Sequence, residues 1–212
     1  YKGVAWSPTN KRAVAVGYTG TKAYANQGLV STYYYTGSAK LTSHDLFGGT
    51  GNDYLWDVAT YGSYYQAVGE YSVKGYGNQA WRHSGNASNG NTYQTATYGG
   101  TSSDYLRSIT CNSTGGQYGV YCYSVGRYYD TKLKKNRTWV QKHHLYYAKT
   151  AYADSKFDIG SKGLLPSGAA YRSESELVLT GSYGNDGWIA QSTIKSYGIC
   201  SKSGDSKTGI TK

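Results

Sequence analysis

Several residue types on which other protein classes depend are scarce in this chain of 212 residues. Methionine is absent, proline and phenylalanine occur twice each, and charged residues make up 16% of the sequence. The good helix formers alanine, leucine, glutamate, lysine and glutamine are too sparse for long amphipathic helices. No apolar run reaches the roughly 18 residues that a membrane-spanning helix requires. The sequence therefore argues against a helical bundle and against a transmembrane helix.

Tyrosine and glycine are abundant instead, with 26 and 29 copies. Tyrosine, tryptophan, valine and threonine favour half-buried strands, and a chain rich in them does not have the composition of a disordered protein. The composition therefore predicts an all-β protein with enough residues for a packed core. The formal net charge of +10 favours acidic partners, although it would also serve solubility on a surface poor in charge.

Three motifs recur in the same order and define four units of about 53 residues. The first is a short apolar segment that ends in glycine, at Gly17, Gly69, Gly126 and Gly181. The second places an asparagine three residues before a large apolar residue, which is Leu29, Trp81, Trp139 or Trp188. The third is a Gly-Gly turn followed by Asp-Tyr-Leu, and it begins at residues 48 and 99. Turn residues between these segments indicate four antiparallel strands per unit.

Four such units, repeated radially, predict a four-bladed β-propeller. The predicted domain covers residues 1–200, with approximate blades at 1–47, 48–98, 99–159 and 160–200, and the tail 201–212 is expected to be flexible or to pair as an added strand. We interpret the repeated glycines as positions where a side chain would crowd the neighbouring blade or the axis, and the tryptophans as wedges between blades. Asp53 and Asp104 are expected to accept backbone N–H groups of their glycine-rich turns.

The pattern GG-x(3)-DY-x(2)-I, followed by V-x-G and then by a W/F-V strand, resembles a repeat of secreted bacterial β-propeller proteins. Residues 97–128 match this pattern best, and residues 45–71 match it next. The resemblance implies an extracellular or cell-surface location and a scaffold role, and it implies no single activity. The chain departs from the pattern in two ways. The Asp-x-x-Gly turn between the first two strands is absent or altered, and there are four repeats where these proteins have seven blades.

Cys111 and Cys122 flank a turn-like stretch, so on a hairpin they would lie opposite each other and could form a disulfide. Cys200 is then left free or intermolecular. Sequons begin at Asn86, Asn112 and Asn136, and they would accept glycans if a glycosylating host secretes the chain. No Cys or His spacing indicates a metal site, and no cofactor is expected.

No catalytic motif is present, and no catalytic residue is assigned. Glu174 and Glu176 lie two residues apart, so on a strand they would share a face and could act as an acid–base pair. The same pair is also typical of a solvated strand entry.

Tyrosine clusters and one basic run are the candidate binding residues. Adjacent residues on a strand point to opposite faces, so about half of each tyrosine cluster must point outward, where the rings could stack on sugars. The basic run 132–137 could contact an anionic polymer, or it could be a solvated hairpin tip. The candidate ligand-binding residues are Tyr34, Tyr65, Tyr128, Tyr129, Tyr146, Arg127, Lys134, Lys135 and Arg137.

The sequence thus predicts a secreted, non-enzymatic module that binds carbohydrate or another anionic extracellular polymer, and it argues against nucleic acid as the partner. Two alternatives stay open. One is a structural subunit of an extracellular fibre, sheath or surface layer that associates with itself. The other is a secreted polysaccharide hydrolase.

Overall fold

The computed structural model describes the backbone of residues 1–20, 25–100, 102–112, 120–145, 151–157, 165–173, 176–183, 186–195 and 198–199. Within these residues the regular secondary structure consists of β-strands in four antiparallel sheets, each of four strands. This arrangement confirms the all-β prediction and the prediction of four-stranded antiparallel units. The tail 201–212 lies outside the described residues.

Each sheet is built from four consecutive strands, and neighbours in the sheet are also neighbours in the sequence. Sheet one contains β1 to β4 (Gly3–Ser7, Arg12–Gly20, Asn26–Tyr35 and Ala39–Phe47). Sheet two contains β5 to β8 (Tyr54–Tyr61, Tyr64–Val73, Gly77–Asn86 and Thr92–Tyr98). Sheet three contains β9 to β12 (Tyr105–Cys111, Tyr121–Asp130, Lys135–His144 and Ala151–Phe157). Sheet four contains β13 to β16 (Leu165–Ser173, Glu176–Tyr183, Asp186–Lys195 and Gly198–Ile199).

The sheets pack face to face in chain order, one on two, two on three and three on four. Side chains alternate along each strand, so every sheet has two faces. We call one the glycine face, because it carries Gly17, Gly69, Gly126 or Gly181 on the second strand. The opposite one is the valine face, named for residues such as Val16, Val68 and Val125 in sheets one to three.

At each of the three interfaces, the glycine face of one sheet covers the valine face of the sheet before it. Trp81 and Trp139 are almost fully buried in the first two interfaces, and Trp188 packs at the edge of the third cluster. The ring of Trp81 occupies the space that a side chain at Gly28 of sheet one would need. Trp81 and Trp139 therefore fill space between adjacent sheets, whereas Trp188 is only partly buried.

The two outermost faces of the series remain uncovered. The glycine face of sheet one exposes large apolar side chains, which are Val4, Trp6, Tyr35, Leu41 and Leu46. The valine face of sheet four exposes Ile189 and Ala170. Among the described residues, no extensive packing joins sheet four to sheet one, so a closed ring is not seen there.

Asp53 and Asp104 have equivalent structural roles, as the sequence predicts. Asp53 accepts hydrogen bonds from the backbone N–H groups of Gly49 and Ser72, both at 2.7 Å. Asp104 accepts the corresponding bonds from Gly100 at 2.8 Å and Tyr129 at 2.7 Å. Each carboxylate therefore ties the turn before its own strand to the end of the next strand. Burial raises the pKa of Asp53, while its two backbone hydrogen bonds oppose that shift.

The repeated glycines are crowded from a different side than the sequence suggested. A Cβ atom at Gly69 would collide with the carbonyl oxygen of Tyr54, and one at Gly126 would collide with that of Tyr105. Both carbonyls belong to the first strand of the same sheet, so the prediction of crowding by a neighbouring blade or the axis is wrong for these two positions. At Gly17 the obstacle is the backbone of Tyr1, which precedes β1.

Cys111 and Cys122 face each other on β9 and β10 and form a disulfide, with their Cα atoms 4.0 Å apart. Of the sequon asparagines, Asn86 donates from Nδ2 to the hydroxyl of Tyr93 at 2.9 Å, and Asn112 accepts the backbone N–H of Tyr121 at 2.9 Å. Asn136 is half-buried in β11. Across the described ranges, no helix has the length and hydropathy needed to cross a membrane.

Candidate functional site

β-Bulges interrupt the first strands of sheets two, three and four at the same place. In β5, Leu55 pairs with Gly69 and Asp57 pairs with Val68, so Trp56 is the extra residue between them. Arg107 and Ser167 take the equivalent places in β9 and β13. A bulge bends the strand and redirects a side chain, and bulges are over-represented near active sites. Lys2, immediately before β1, occupies the corresponding place in sheet one.

The side chains of Lys2, Trp56 and Arg107, at these places in sheets one, two and three, lie next to one another. The Cζ atom of Arg107 lies 3.9 Å from the centroid of the Trp56 ring, and the Nζ atom of Lys2 lies 5.9 Å from it. With their immediate neighbours they form a continuous set that we call the bulge row. Its members are Lys2, Tyr18, Tyr54, Trp56, Glu70, Tyr105, Arg107 and Arg127.

Cations and aromatic rings alternate along the bulge row. Arg107 and Arg127 each lie 4.6 Å from the centroid of the Tyr105 ring. Arg127 also donates from Nη2 to the backbone carbonyl of Ser103 at 2.9 Å. Lys2 lies 5.4 Å from the ring of Tyr18. Cation–π contacts of this kind contribute about 0.5–1 kcal/mol each at exposed sites, so the row fixes the orientation of its cations.

The aromatic rings of the bulge row also stack on each other. Tyr54 and Trp56 are nearly parallel, with an interplanar angle of 18° and centroids 5.2 Å apart. Tyr18 meets both rings edge-on, at 4.6 Å and 5.7 Å. Trp56 therefore has Tyr54, Tyr18, Arg107 and Lys2 around its ring.

Glu70 is the carboxylate of the bulge row, and its side chain is almost buried. It accepts a hydrogen bond from Trp56 Nε1 at 3.1 Å and another from Asn78 Nδ2 at 2.9 Å. Its Oε1 atom lies 3.8 Å from Arg107 Nη2. Glu70 contacts one of the three cations of the row, and the charged side chains of the row together carry an excess of positive charge.

Of the residues predicted to bind a ligand, only Arg127 belongs to the bulge row. Tyr34 is half-buried under Arg12, whose Cζ atom lies 4.2 Å from its ring centroid. Tyr128 packs edge-on against Trp139 with centroids 5.6 Å apart, and its neighbour Tyr129 is half-buried. Tyr34 and Tyr128 are thus engaged in the packing of their own sheets, which are not adjacent in the series.

Tyr65 cannot contact a ligand, and its prediction is wrong. The side chain is fully buried between sheets one and two, and its hydroxyl bonds to His83 Nε2 at 3.2 Å. Burial raises the pKa of this tyrosine. The apolar packing of the ring outweighs the surface position that strand alternation suggested. Tyr146 lies outside the described residues.

The basic run lies at the tip of the β10–β11 hairpin. Lys134 and Lys135 are exposed, and Lys134 has a positive φ of 52° at the turn. Arg137 pairs with Asp130, with Nη1 and Oδ2 3.4 Å apart. The other carboxylate oxygen of Asp130 accepts two backbone N–H groups of the turn, which lower the pKa of this residue together with Arg137. This geometry favours the interpretation of the run as a solvated hairpin tip.

Sequence reasoning missed most of the bulge row because a bulge has no sequence signature of its own. The one available signal is the alignment of repeats on Leu55 and Leu106. The residue that follows is Trp56 in one repeat and Arg107 in the next. A position that changes between an aromatic ring and a cation, inside a strand whose neighbours recur, is typical of a surface that contacts something other than the core.

The described residues bring together few groups suited to catalysis. Ser124 and His143 are 2.6 Å apart, but both are completely buried, and burial lowers the pKa of the histidine. Glu176 pairs with Arg172 at 3.4 Å and accepts a hydrogen bond from Gln191 at 2.6 Å, while Glu174 lies outside the described residues. No cluster of three or more potential metal ligands occurs in the part of the chain that is described.

Neither the scan against protein-family models nor the search of the curated proteins produced a match to this chain. The resemblance to a secreted propeller repeat therefore stays a prediction from the sequence.

Proposed function

We propose that this chain is an extracellular, non-enzymatic binding module that holds carbohydrate or another acidic polymer at the bulge row. Its scaffold is a four-bladed β-propeller in which each sheet is one blade. The observation that carries the binding proposal is the alternation of three cations with aromatic rings across three sheets. Lys2 and Arg107 occupy equivalent positions, and Arg127 lies on the strand next to Arg107.

The two uncovered faces support the propeller scaffold. Three interfaces already pair a glycine face with a valine face, and one face of each kind is left over at the ends of the series. Joining these two faces would complete a ring of four blades, the lower end of the range that propellers adopt. It would also bury exposed apolar side chains such as Trp6, which is 48% exposed.

Exposure supports the bulge row as the binding surface. Lys2 is exposed, and 32% of the Arg107 side chain remains accessible. Asn52, beside the row, is exposed and accepts a hydrogen bond from Asn26, which also donates to the hydroxyl of Tyr54 at 3.1 Å. Charged groups held in place next to amides and hydroxyls suit a ligand that carries both anionic groups and hydroxyl groups.

The test compares two double variants that remove the same charge. Arg107→Ala with Arg127→Ala disrupts the bulge row, and Lys134→Ala with Lys135→Ala changes the exposed hairpin tip. Both are measured on an array of neutral and acidic glycans, with thermal unfolding as a check on folding. We expect the first variant to lose binding and the second to retain it. Binding that is lost only in the hairpin variant, or no binding by the unmodified chain, would contradict the proposal.

The structural-subunit alternative has one observation in its favour. The exposed glycine face of sheet one could receive the valine face of sheet four from another copy, and repeated head-to-tail contacts of this kind produce rings or open filaments.

A further inference from the structure

The aromatic rings of the bulge row already have neighbours on several sides. Trp56 has Arg107 at 3.9 Å, Tyr54 at 5.2 Å and Lys2 at 5.9 Å from its ring centroid. Tyr105 has Arg107 and Arg127, each at 4.6 Å. A sugar ring or a nucleobase would have to compete with these groups to stack on Trp56 or Tyr105.

Arg107 of the bulge row can still donate hydrogen bonds to a ligand, because 32% of its side chain is exposed. A guanidinium group held against an aromatic ring keeps several N–H bonds in its own plane. Those N–H bonds match the two oxygen atoms of a carboxylate or sulfate group, which they can bind in pairs. Glu70 lies near one nitrogen of Arg107 only, at 3.8 Å, and Lys2 is exposed.

We infer that the ligand of the bulge row is an acidic polysaccharide, recognised through its sulfate or carboxylate groups and not through stacking of its sugar rings. This inference rests on the proposed function, because it names the ligand class for the same site. The spacing of the row fits it: Lys2, Arg107 and Arg127 follow one another with a single aromatic ring between each pair. A polysaccharide with acidic groups on successive sugar units offers a similar alternation.

A single-stranded nucleic acid is the competing polyanion, and the geometry disfavours it. Proteins that bind single strands combine cations with aromatic side chains on which the bases stack, and that stacking contributes strongly to affinity. Here the rings of Trp56 and Tyr105 instead make cation–π contacts with Arg107 and Arg127. The polar neighbours of the row, the amides of Asn26 and Asn52 and the hydroxyl of Tyr54, suit the hydroxyl groups of a sugar.

The experiment titrates the full chain with four probes over a range of salt concentrations. The probes are heparin, which is sulfated, polygalacturonate, which is carboxylated, dextran, which is neutral, and an oligothymidine single strand. We expect binding of heparin or polygalacturonate, no measurable binding of dextran, and weaker binding of the oligothymidine. The logarithm of the affinity should fall linearly with the logarithm of the salt concentration, because binding releases counterions.

Arg107→Ala should weaken binding of the acidic polysaccharide at least about tenfold, since it removes a charge-assisted hydrogen bond. It should also reduce the slope of the salt dependence by about one, as removal of one phosphate-contacting cation does for nucleic acids. The matched control is Lys134→Ala, which removes the same charge from the hairpin tip and should leave both quantities within about twofold of the unmodified chain.

The possible outcomes separate the two proposals. Dextran binding that Arg107→Ala weakens, or oligothymidine binding tighter than that of both polysaccharides, would overturn the acidic-polysaccharide inference and keep the bulge row as the binding site. Equal losses in Arg107→Ala and Lys134→Ala would indicate unspecific charge attraction and overturn both proposals. A lack of binding to any probe would also overturn both.

Discussion

His83 shows how a single residue in this fold couples stability to pH. Its imidazole is 1% exposed between sheets one and two, with the ring of Phe47 4.1 Å away and the hydroxyl of Tyr65 3.2 Å from Nε2. Burial lowers the pKa of His83 to about 4. His143, between sheets two and three, is affected in the same direction, chiefly by burial and further by Arg82. Both histidines are therefore neutral in the folded protein at pH 7.

We predict that the chain loses stability as the pH falls from about 6.5 to about 4. The unfolded chain gains a proton on His83 over this range, while the folded chain resists protonation until about pH 4. The difference in pKa between the two states corresponds to roughly 3 kcal/mol of unfolding free energy, which is lost by the acidic end of this range. Urea unfolding at several pH values would measure it.

His83→Gln is the informative variant for this prediction, because glutamine does not titrate and can still bond to the hydroxyl of Tyr65. The difference in unfolding free energy between the unmodified chain and this variant should change with pH only between about 4 and 6.5. Parallel pH profiles for the two proteins would show that His83 does not carry the effect.

At the scale of the strand, each bulge requires the glycine on the neighbouring strand. The bulge in β9 sets Arg107 in line with its neighbours in the bulge row and drives the carbonyl of Tyr105 toward β10. Only a residue without a side chain fits beneath that carbonyl, which explains Gly126. Gly69 has the same relation to the bulge at Trp56. The element that recurs in these two repeats is thus the pair of strands, and the glycine is the part of it that recurs in the sequence.

We predict that Gly126→Ala lowers the free energy of unfolding by about 2–3 kcal/mol, because the new methyl group meets rigid backbone. Besides the carbonyl of Tyr105, it would approach the Cα atom of Leu106 to 2.7 Å. Gly100→Ala is the matched control, since nothing lies within 4 Å of the added atom there. Chemical denaturation measures both variants, and equal stability of the two would argue against the steric account.

The strands and the core tryptophans could be predicted from the sequence because both depend on local pattern and size. Alternating apolar residues and glycine-rich turns mark the strands, and Trp81 and Trp139 are the largest residues at a recurring position. The bulge row could not be predicted in the same way. Its members meet across three sheets, and the contact between Trp56 and Arg107 depends on a shift of register that no residue type encodes. For Tyr65, propensity indicated a strand and left the choice of face open.

For the whole molecule, the decisive feature is the pair of uncovered faces at the two ends of the series. Val4 on sheet one is 72% exposed, although its equivalents Val58 and Ile109 are buried in the first and second interfaces. Ala170 on sheet four is exposed, and its equivalent Ala59 packs against the cluster that contains Ile109. The register of the three existing interfaces therefore predicts that Val4 and Ala170 approach each other when the ring closes.

A pair of cysteines tests this closure. In a background with Cys200→Ser, we expect Val4→Cys with Ala170→Cys to form a disulfide within one chain, as Ala59→Cys with Ile109→Cys should at the equivalent positions. Electrophoresis without reductant and mass spectrometry identify the linked species. A disulfide between two chains would instead favour the structural-subunit alternative. A disulfide in the Ala59→Cys and Ile109→Cys control, without one in the Val4→Cys and Ala170→Cys variant, would contradict the prediction that these two faces approach each other.

The order of the strands has a consequence for synthesis. Every strand pairs with its neighbours in sequence, so each sheet can assemble from a short, local stretch of chain soon after that stretch leaves the ribosome. The glycine face of sheet one is then made first, and a closed ring would cover it last. Trp6 and Leu41 would face solvent throughout translation of the other three sheets, and it is at this surface that we expect a chaperone to engage the growing chain.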